Sequence, residues 1–153
     1  MEKRGSHRLR LGRRSIPGQI YHVRFSTHER RPLLAALQSG RAVILALRAA
    51  ERRHDARTLC FVVMPDHVHW LLCLGEQKRL ASVVGAVKGS AAREITRVHP
   101  RLRAQVWQRG FFDRALRREE DLTTVARYIV ANPLRAGLVR SVRAWPHWDA
   151  VWL

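Results

Sequence analysis

Hydrophobic and polar residues alternate from Ile20 to Ser26, with Tyr21, Val23 and Phe25 on one side. A period of two is the pattern of a half-buried strand, and Pro17-Gly18 ahead of it marks a turn. Pro32 opens a region of helical spacing that runs to about Arg53, with Leu33, Leu34, Leu37, Val43, Ile44 and Leu47 apolar. Gly40 is expected to break this region into two helices. Two apolar runs, residues 59–64 and 68–74, flank Pro65-Asp66. That dipeptide is turn chemistry, and Pro65 argues against one continuous strand; the pattern predicts a β-hairpin. Leu80, Val83, Val84, Val87, Ala91 and Ile95 form an amphipathic helical stripe that Pro100 closes. Residues 106–116, with Trp107, Phe111 and Phe112 about Gly110, predict a second hairpin. Asp121 is placed to cap a helix running to about Asn132, where Pro133 limits it, with a short helical piece after it. Three tryptophans between residues 145 and 153 predict a tail packed on the core.

Within the first hairpin, His67 and His69 are two residues apart, so both side chains leave the strand on the same face. A two-residue turn sets Val62 opposite His69 and Cys60 opposite Leu71. Phe61, Val63, Val68, Trp70 and Leu72 then fill the other face, which is the denser apolar one. The histidines lie on the side where a helix would roof them. Two imidazoles at this spacing suit a divalent cation, and Mg or Mn sites add oxygen ligands. The motif is short and common, so it needs partners.

The helix after Asp121 offers them. Tyr128 and Asn132 are four apart and share one helix face. Asn132 supplies a side-chain oxygen as a third ligand. Tyr128 supplies a phenol, a poor nucleophile until deprotonated. A divalent cation beside it lowers that barrier and polarises a phosphate. A tyrosine closing the core with its ring, and an asparagine ending a helix before proline, show the same spacing; residue types alone leave both readings open.

Charge favours a phosphate-bearing partner. Lys plus Arg number 29 against 12 Asp plus Glu, a formal net charge of +17. The pI of about 11.7 is typical of nucleic-acid binders. Only Lys3, Lys78 and Lys88 are lysines, and arginine grips phosphate bidentately. Cys60 and Cys73 lack CxxC spacing and read as buried free thiols, in keeping with a reducing cytoplasm. No run approaches the ~20 apolar residues of a membrane span. Residues 1–16 read as a basic arm able to follow nucleic-acid phosphates, and residues 17–153 as one domain.

The segment Met64-Pro65-Asp66-His67-Val68-His69-Trp70-Leu71-Leu72 resembles the histidine–hydrophobe–histidine (HUH) motif of single-tyrosine transposases. Trp107-Gln108-Arg109-Gly110-Phe111-Phe112-Asp113, then residues 126–139 with Tyr128, Asn132-Pro133 and Arg135-Ala136-Gly137, are similar to the later part of one branch. That branch is the REP-associated tyrosine transposases, bacterial proteins encoded beside repetitive extragenic palindromes. The resemblance runs from about Pro17 to the C-terminus. It implies an α+β fold, an antiparallel sheet of ferredoxin-like character with flanking helices. It implies Mg²⁺ or Mn²⁺ held by His67, His69 and Asn132. Tyr128 would attack single-stranded DNA at a palindromic-repeat hairpin, leaving a 5′-phosphotyrosine link that another DNA end resolves. The place of action would be the bacterial cytoplasm, at the nucleoid. A basic hairpin-binding protein without activity is the alternative.

Two departures stand out. Asp66 replaces the asparagine of many members, and as a turn residue it should change little. Asn132 stands where insertion-sequence relatives have glutamine; the shorter arm fits the REP-associated branch and favours a monomer. Arg127, Arg135 and Arg140 are candidate phosphate contacts, and Gln108 and Arg109 candidate DNA contacts within the family block. Trp70 and Trp107 are expected in the core. His22 is out of phase with Tyr21 and Val23 and reads as a surface histidine, unless the first strand neighbours the hairpin.

Overall fold

The computed structural model describes residues 15–102, 105–117 and 120–152. The basic arm lies outside these residues up to position 14.

Strand β1 (Ile20–Ser26) is followed by helix α1 (Leu37–Arg52), the hairpin β2 (Ala56–Val63) and β3 (His67–Leu74), then helix α2 (Leu80–Val98) and strand β4 (Phe112–Ala115). Helix α3 (Leu122–Val130), the one-turn helix α4 (Asn132–Arg135) and strand β5 (Trp148–Ala150) complete the chain. The sheet order is β4-β1-β3-β2-β5, with every pairing antiparallel. The first four strands and two helices form the βαββαβ unit of ferredoxin-like folds, and β5 extends its β2 edge.

Alternation along the strands divides the apolar residues between two faces. Tyr21, Val23, Phe25, Phe61, Val63, Val68, Trp70 and Leu72 meet the stripes of α1 and α2 in the larger core. Cys60, Val62 and Leu71 point the other way and meet Ala126, Ile129 and Val130 of α3. The hairpin register sets Val62 against His69 and Cys60 against Leu71, as the two-residue turn requires.

Three local expectations fail for physical reasons. Gly40 does not break α1: it is buried within it, because a Cβ there would come within 2.5 Å of the His147 ring. The glycine makes room for a neighbour instead of ending a helix. Residues 106–116 do not form a hairpin. Trp107 makes a bridge to Thr27, and β4 pairs with β1, so both halves attach to the existing sheet edge. Cys60 is buried, and burial pushes its thiol up to about 12; Cys73 is only half-buried, its thiol donating to the Gly18 carbonyl at 3.4 Å. Trp145 and Trp148 pack on the smaller core as the tail predicts, whereas Trp152 remains 39% exposed.

Candidate active site

Strand β3 carries His67 and His69 on the same face, with ring centroids 5.0 Å apart. Each ring is held by its Nδ1. His67 Nδ1–H donates to Asp66 Oδ1 at 2.7 Å, and Asp66 Oδ2 accepts from Arg30 Nε at 2.9 Å. His69 Nδ1 lies 2.9 Å from His22 Nε2. A carboxylate on the far nitrogen fixes the His67 tautomer and leaves its Nε2 for a cation, and His69 Nε2 is left for one in the tautomer whose Nδ1–H donates to His22.

Two of these partners do more than the local sequence announces. His22 is not a surface residue: the first strand neighbours the hairpin, the condition under which it reaches the site. Pairing of β1 with β3 puts it diagonally beside His69, through a contact between residues far apart in the chain. Asp66 is more than a turn residue, because its carboxylate orients His67. Asparagine there would keep an acceptor for the imidazole but lose the charge facing Arg30.

Burial and neighbouring cations keep the histidines neutral. Burial, with Arg114 and Arg24 nearby, lowers His22 from 6.5 to about 4. Burial, then His22, His67, Arg24 and Arg135, lower His69 to about 3. His67 is lowered by burial, partly offset by Asp66. Neutral imidazole is the metal-binding form. The unfolded chain therefore binds more protons than the folded one below pH 6.5. Metal-free protein should hold full stability above that pH and lose it below, down to about pH 4 for His22 and about pH 3 for His69. The slope is about 1.4 kcal/mol per pH unit for each group. Urea unfolding with a chelator present at pH 7, 6 and 5 measures it; a flat profile would contradict neutral, buried rings.

Helix α3 packs on the same sheet face, its Ala126, Ile129 and Val130 against Cys60, Val62 and Leu71 beside the histidines. Asp121 caps it, its carboxylate accepting from Thr123 N and Thr124 Oγ1. Pro133 has no N–H to offer the Ile129 carbonyl four residues back. Asn132 Nδ2 donates to that carbonyl at 2.8 Å instead. The proline thus fixes the amide, with Oδ1 as the remaining acceptor. Gly137, at φ 74°, ends α4 in a left-handed cap; Leu138 N donates to Pro133 O and Gly137 N to Leu134 O. The cap holds Arg135 in the preceding turn. Its guanidinium carbon sits 3.8 Å from the centroid of the Tyr128 ring, and its charge is felt at His69. Tyr128 is 63% exposed, so its ring does not close the core.

The remaining candidates divide by position. Gln108 N donates to Ser26 O, and Ser26 pairs with His67, so this segment runs beside the histidine strand. Lys88 Nζ donates to the carbonyls of Gln108 and Gly110 and fixes the loop. Arg109, Arg127 and Arg140 are exposed. Arg127 acts on Asp121, at the opposite end of α3 from Asn132. Trp70 and Trp107 are buried, as expected. Among the described residues no three His, Cys, Asp or Glu side chains converge as a metal cluster. A cation here therefore needs oxygen from the amide, substrate or water.

Residues 15–132 match the family model described as "Transposase IS200 like", a span that takes in the paired histidines, Tyr128 and Asn132. The chain belongs to this family. It is similar to a REP-associated tyrosine transposase of Haemophilus influenzae, 27% identical over 99 residues, 59% of this chain and 56% of that one. It is 31% identical over 100 residues to the ISDra2 transposase TnpA of Deinococcus radiodurans, covering 65% and 70% of the two chains. The chain spans about half the length of the REP-associated relatives it matches. A solved REP-associated tyrosine transposase, bound to a REP hairpin, superposes with a TM-score of 0.71 at 25% identity over 89% of this chain and 79% of that one. The α+β fold is that of this neighbour. No helix among the described residues is long and apolar enough to cross a membrane.

Proposed function

We propose that this chain is a metal-dependent enzyme that nicks and rejoins single-stranded DNA at palindromic-repeat hairpins, with Tyr128 as nucleophile. The observation that carries the proposal is an exposed phenol under an arginine whose charge reaches His69, on a helix packed against the same sheet face as two neutral, pre-oriented imidazoles. The donor set suits Mg²⁺ or Mn²⁺: two ring nitrogens from His67 and His69 and the amide oxygen of Asn132. Bound there, the ion would polarise a phosphate oxygen and favour the phenolate.

The chain's own residues do the rest. Tyr128 gives up its phenolic proton, and its oxygen forms a bond to the scissile phosphorus. The bond from phosphorus to the 3′ oxygen breaks, and that oxygen leaves as a hydroxyl after taking up a proton. The strand that begins at the cut stays on Tyr128 through its 5′-phosphate as a phosphodiester, so the bond energy is retained and a second 3′-hydroxyl can reverse the step without ATP. Arg135 sits where it can neutralise the phosphate as charge builds. A monomer holding its own tyrosine suffices for this.

Incubating the chain with a labelled hairpin carrying a single-stranded flank, with Mn²⁺ or with chelator, tests the proposal. The expected result is a denaturation-resistant DNA–protein adduct that chelation removes. Tight binding with no adduct under any metal would leave only a basic hairpin-binding protein. Asp66→Ala should weaken metal binding about 10- to 100-fold, as loss of an orienting partner does, whereas Asp66→Asn should stay close to the parent. Calorimetric titration with Mn²⁺ reads both; equal affinity in all three would remove Asp66 from the site.

A further inference from the structure

The strand registers place five side chains in one row across the histidine face: Phe112, Arg24, His69, Val62 and Trp148. Helix α3 covers the β2 and β5 end of this face. The β4 end is open. Phe112 is 48% exposed on the edge strand, and the Arg114 side chain, two residues on, is 54% exposed. A large apolar ring on an open edge is usually avoided. Here the Arg24 guanidinium carbon lies 4.9 Å from its centroid, which makes an aromatic and cationic shelf. Arg24 stands directly across from His69 and Phe112 one strand further, two strand spacings or roughly 10 Å from His69, within reach of a short single-stranded segment leaving the histidines. The charge of Arg24 is felt at all three histidines, so shelf and site share one field.

We propose that Phe112 and Arg24 form a stacking subsite for an unpaired base next to the scissile phosphate, Phe112 taking the base and Arg24 the adjoining phosphate. This rests on the single-strand reading above. An aromatic face stacks any base, and a guanidinium adds charge for the backbone. Base pairing would hide the face that stacks, so the subsite selects the unpaired flank over the hairpin stem. Being exposed, Phe112 contributes little to the core, and its replacement should leave the fold intact.

The test compares two labelled hairpins, one blunt and one with a single-stranded flank, in metal-free buffer, so that binding alone is read. Phe112→Ala should weaken binding of the flanked hairpin at least about fivefold, the low end for loss of one base stack. It should leave the blunt hairpin within about twofold, and Phe112→Tyr should restore the parent affinity. A 5-iodouracil scanned through the flank should photo-crosslink to Phe112 from one position. Equal affinity of Phe112→Ala and parent for the flanked hairpin, or equal loss on both hairpins, would overturn the subsite. If the parent chain itself does not prefer the flanked hairpin, the single-strand reading fails and the subsite falls with it. If the parent prefers it and Phe112→Ala does not matter, only the subsite is lost.

Discussion

Tyr128→Phe should abolish covalent attachment to DNA while leaving the fold and hairpin affinity unchanged. The substitution removes one oxygen from a ring that is 63% exposed, and no described hydrogen bond uses that oxygen. The packing cost is therefore close to zero, and Arg135 keeps an aromatic face to lie on. The chemical cost is different in kind. Without the phenolic oxygen no bond to phosphorus can form, and loss of a covalent nucleophile lowers turnover by up to on the order of 10⁶-fold. Adduct formation on a denaturing gel, nicking of a labelled hairpin and thermal unfolding, measured side by side, separate the effects. An adduct that survives in Tyr128→Phe would move the nucleophile elsewhere; loss of binding together with the adduct would make Tyr128 a binding residue.

What a sequence reveals of such a site depends on how far apart in the chain its partners lie. The face shared by His67 and His69 follows from strand period alone. The pairing of Val62 with His69 follows from turn length, and both appear in the structure. His22 reaches His69 only because β1 pairs with β3, after a helix and a strand have intervened; no local pattern encodes that choice. Asp66 shows a subtler limit. Aspartate before a strand is ordinary turn chemistry, and beside its hydrogen bond to His67 its second oxygen meets Arg30, which arrives from another segment. Gly40 escapes local pattern because glycine serves two ends, freedom of the backbone and absence of a side chain, and only the position of the His147 ring tells which applies. Asn132 and Pro133 are the opposite case. The missing N–H of a proline and the amide beside it are both written in adjacent residues, and their bond to Ile129 uses nothing further away.

Trp70→Ala should be the most damaging single substitution to stability, at about 3–5 kcal/mol. Trp70 is fully buried on the central strand, with Val23 and Phe61 opposite it on the two neighbouring strands. It stands between the sheet and the two long helices. Its Nε1–H donates to Thr58 Oγ1 at 3.0 Å, so truncation also strips a hydroxyl on β2 of its donor. Domains of ordinary stability hold about 5–15 kcal/mol in all, and the loss consumes a large part of that. The consequence reaches the site because of strand alternation. Trp70 anchors β3 from below, and its neighbour His69 faces the other side of the same strand. Loosening the larger core therefore frees the backbone that aims the imidazole pair. Urea unfolding should show the drop directly. At temperatures where the variant is still folded, Mn²⁺ affinity should fall with it, although no ligand has been touched. A loss below about 1.5 kcal/mol, the range of volume-conserving core changes, would mean that the helices settle onto the sheet without this ring. The histidine face would then owe its order to α3 and the smaller core alone.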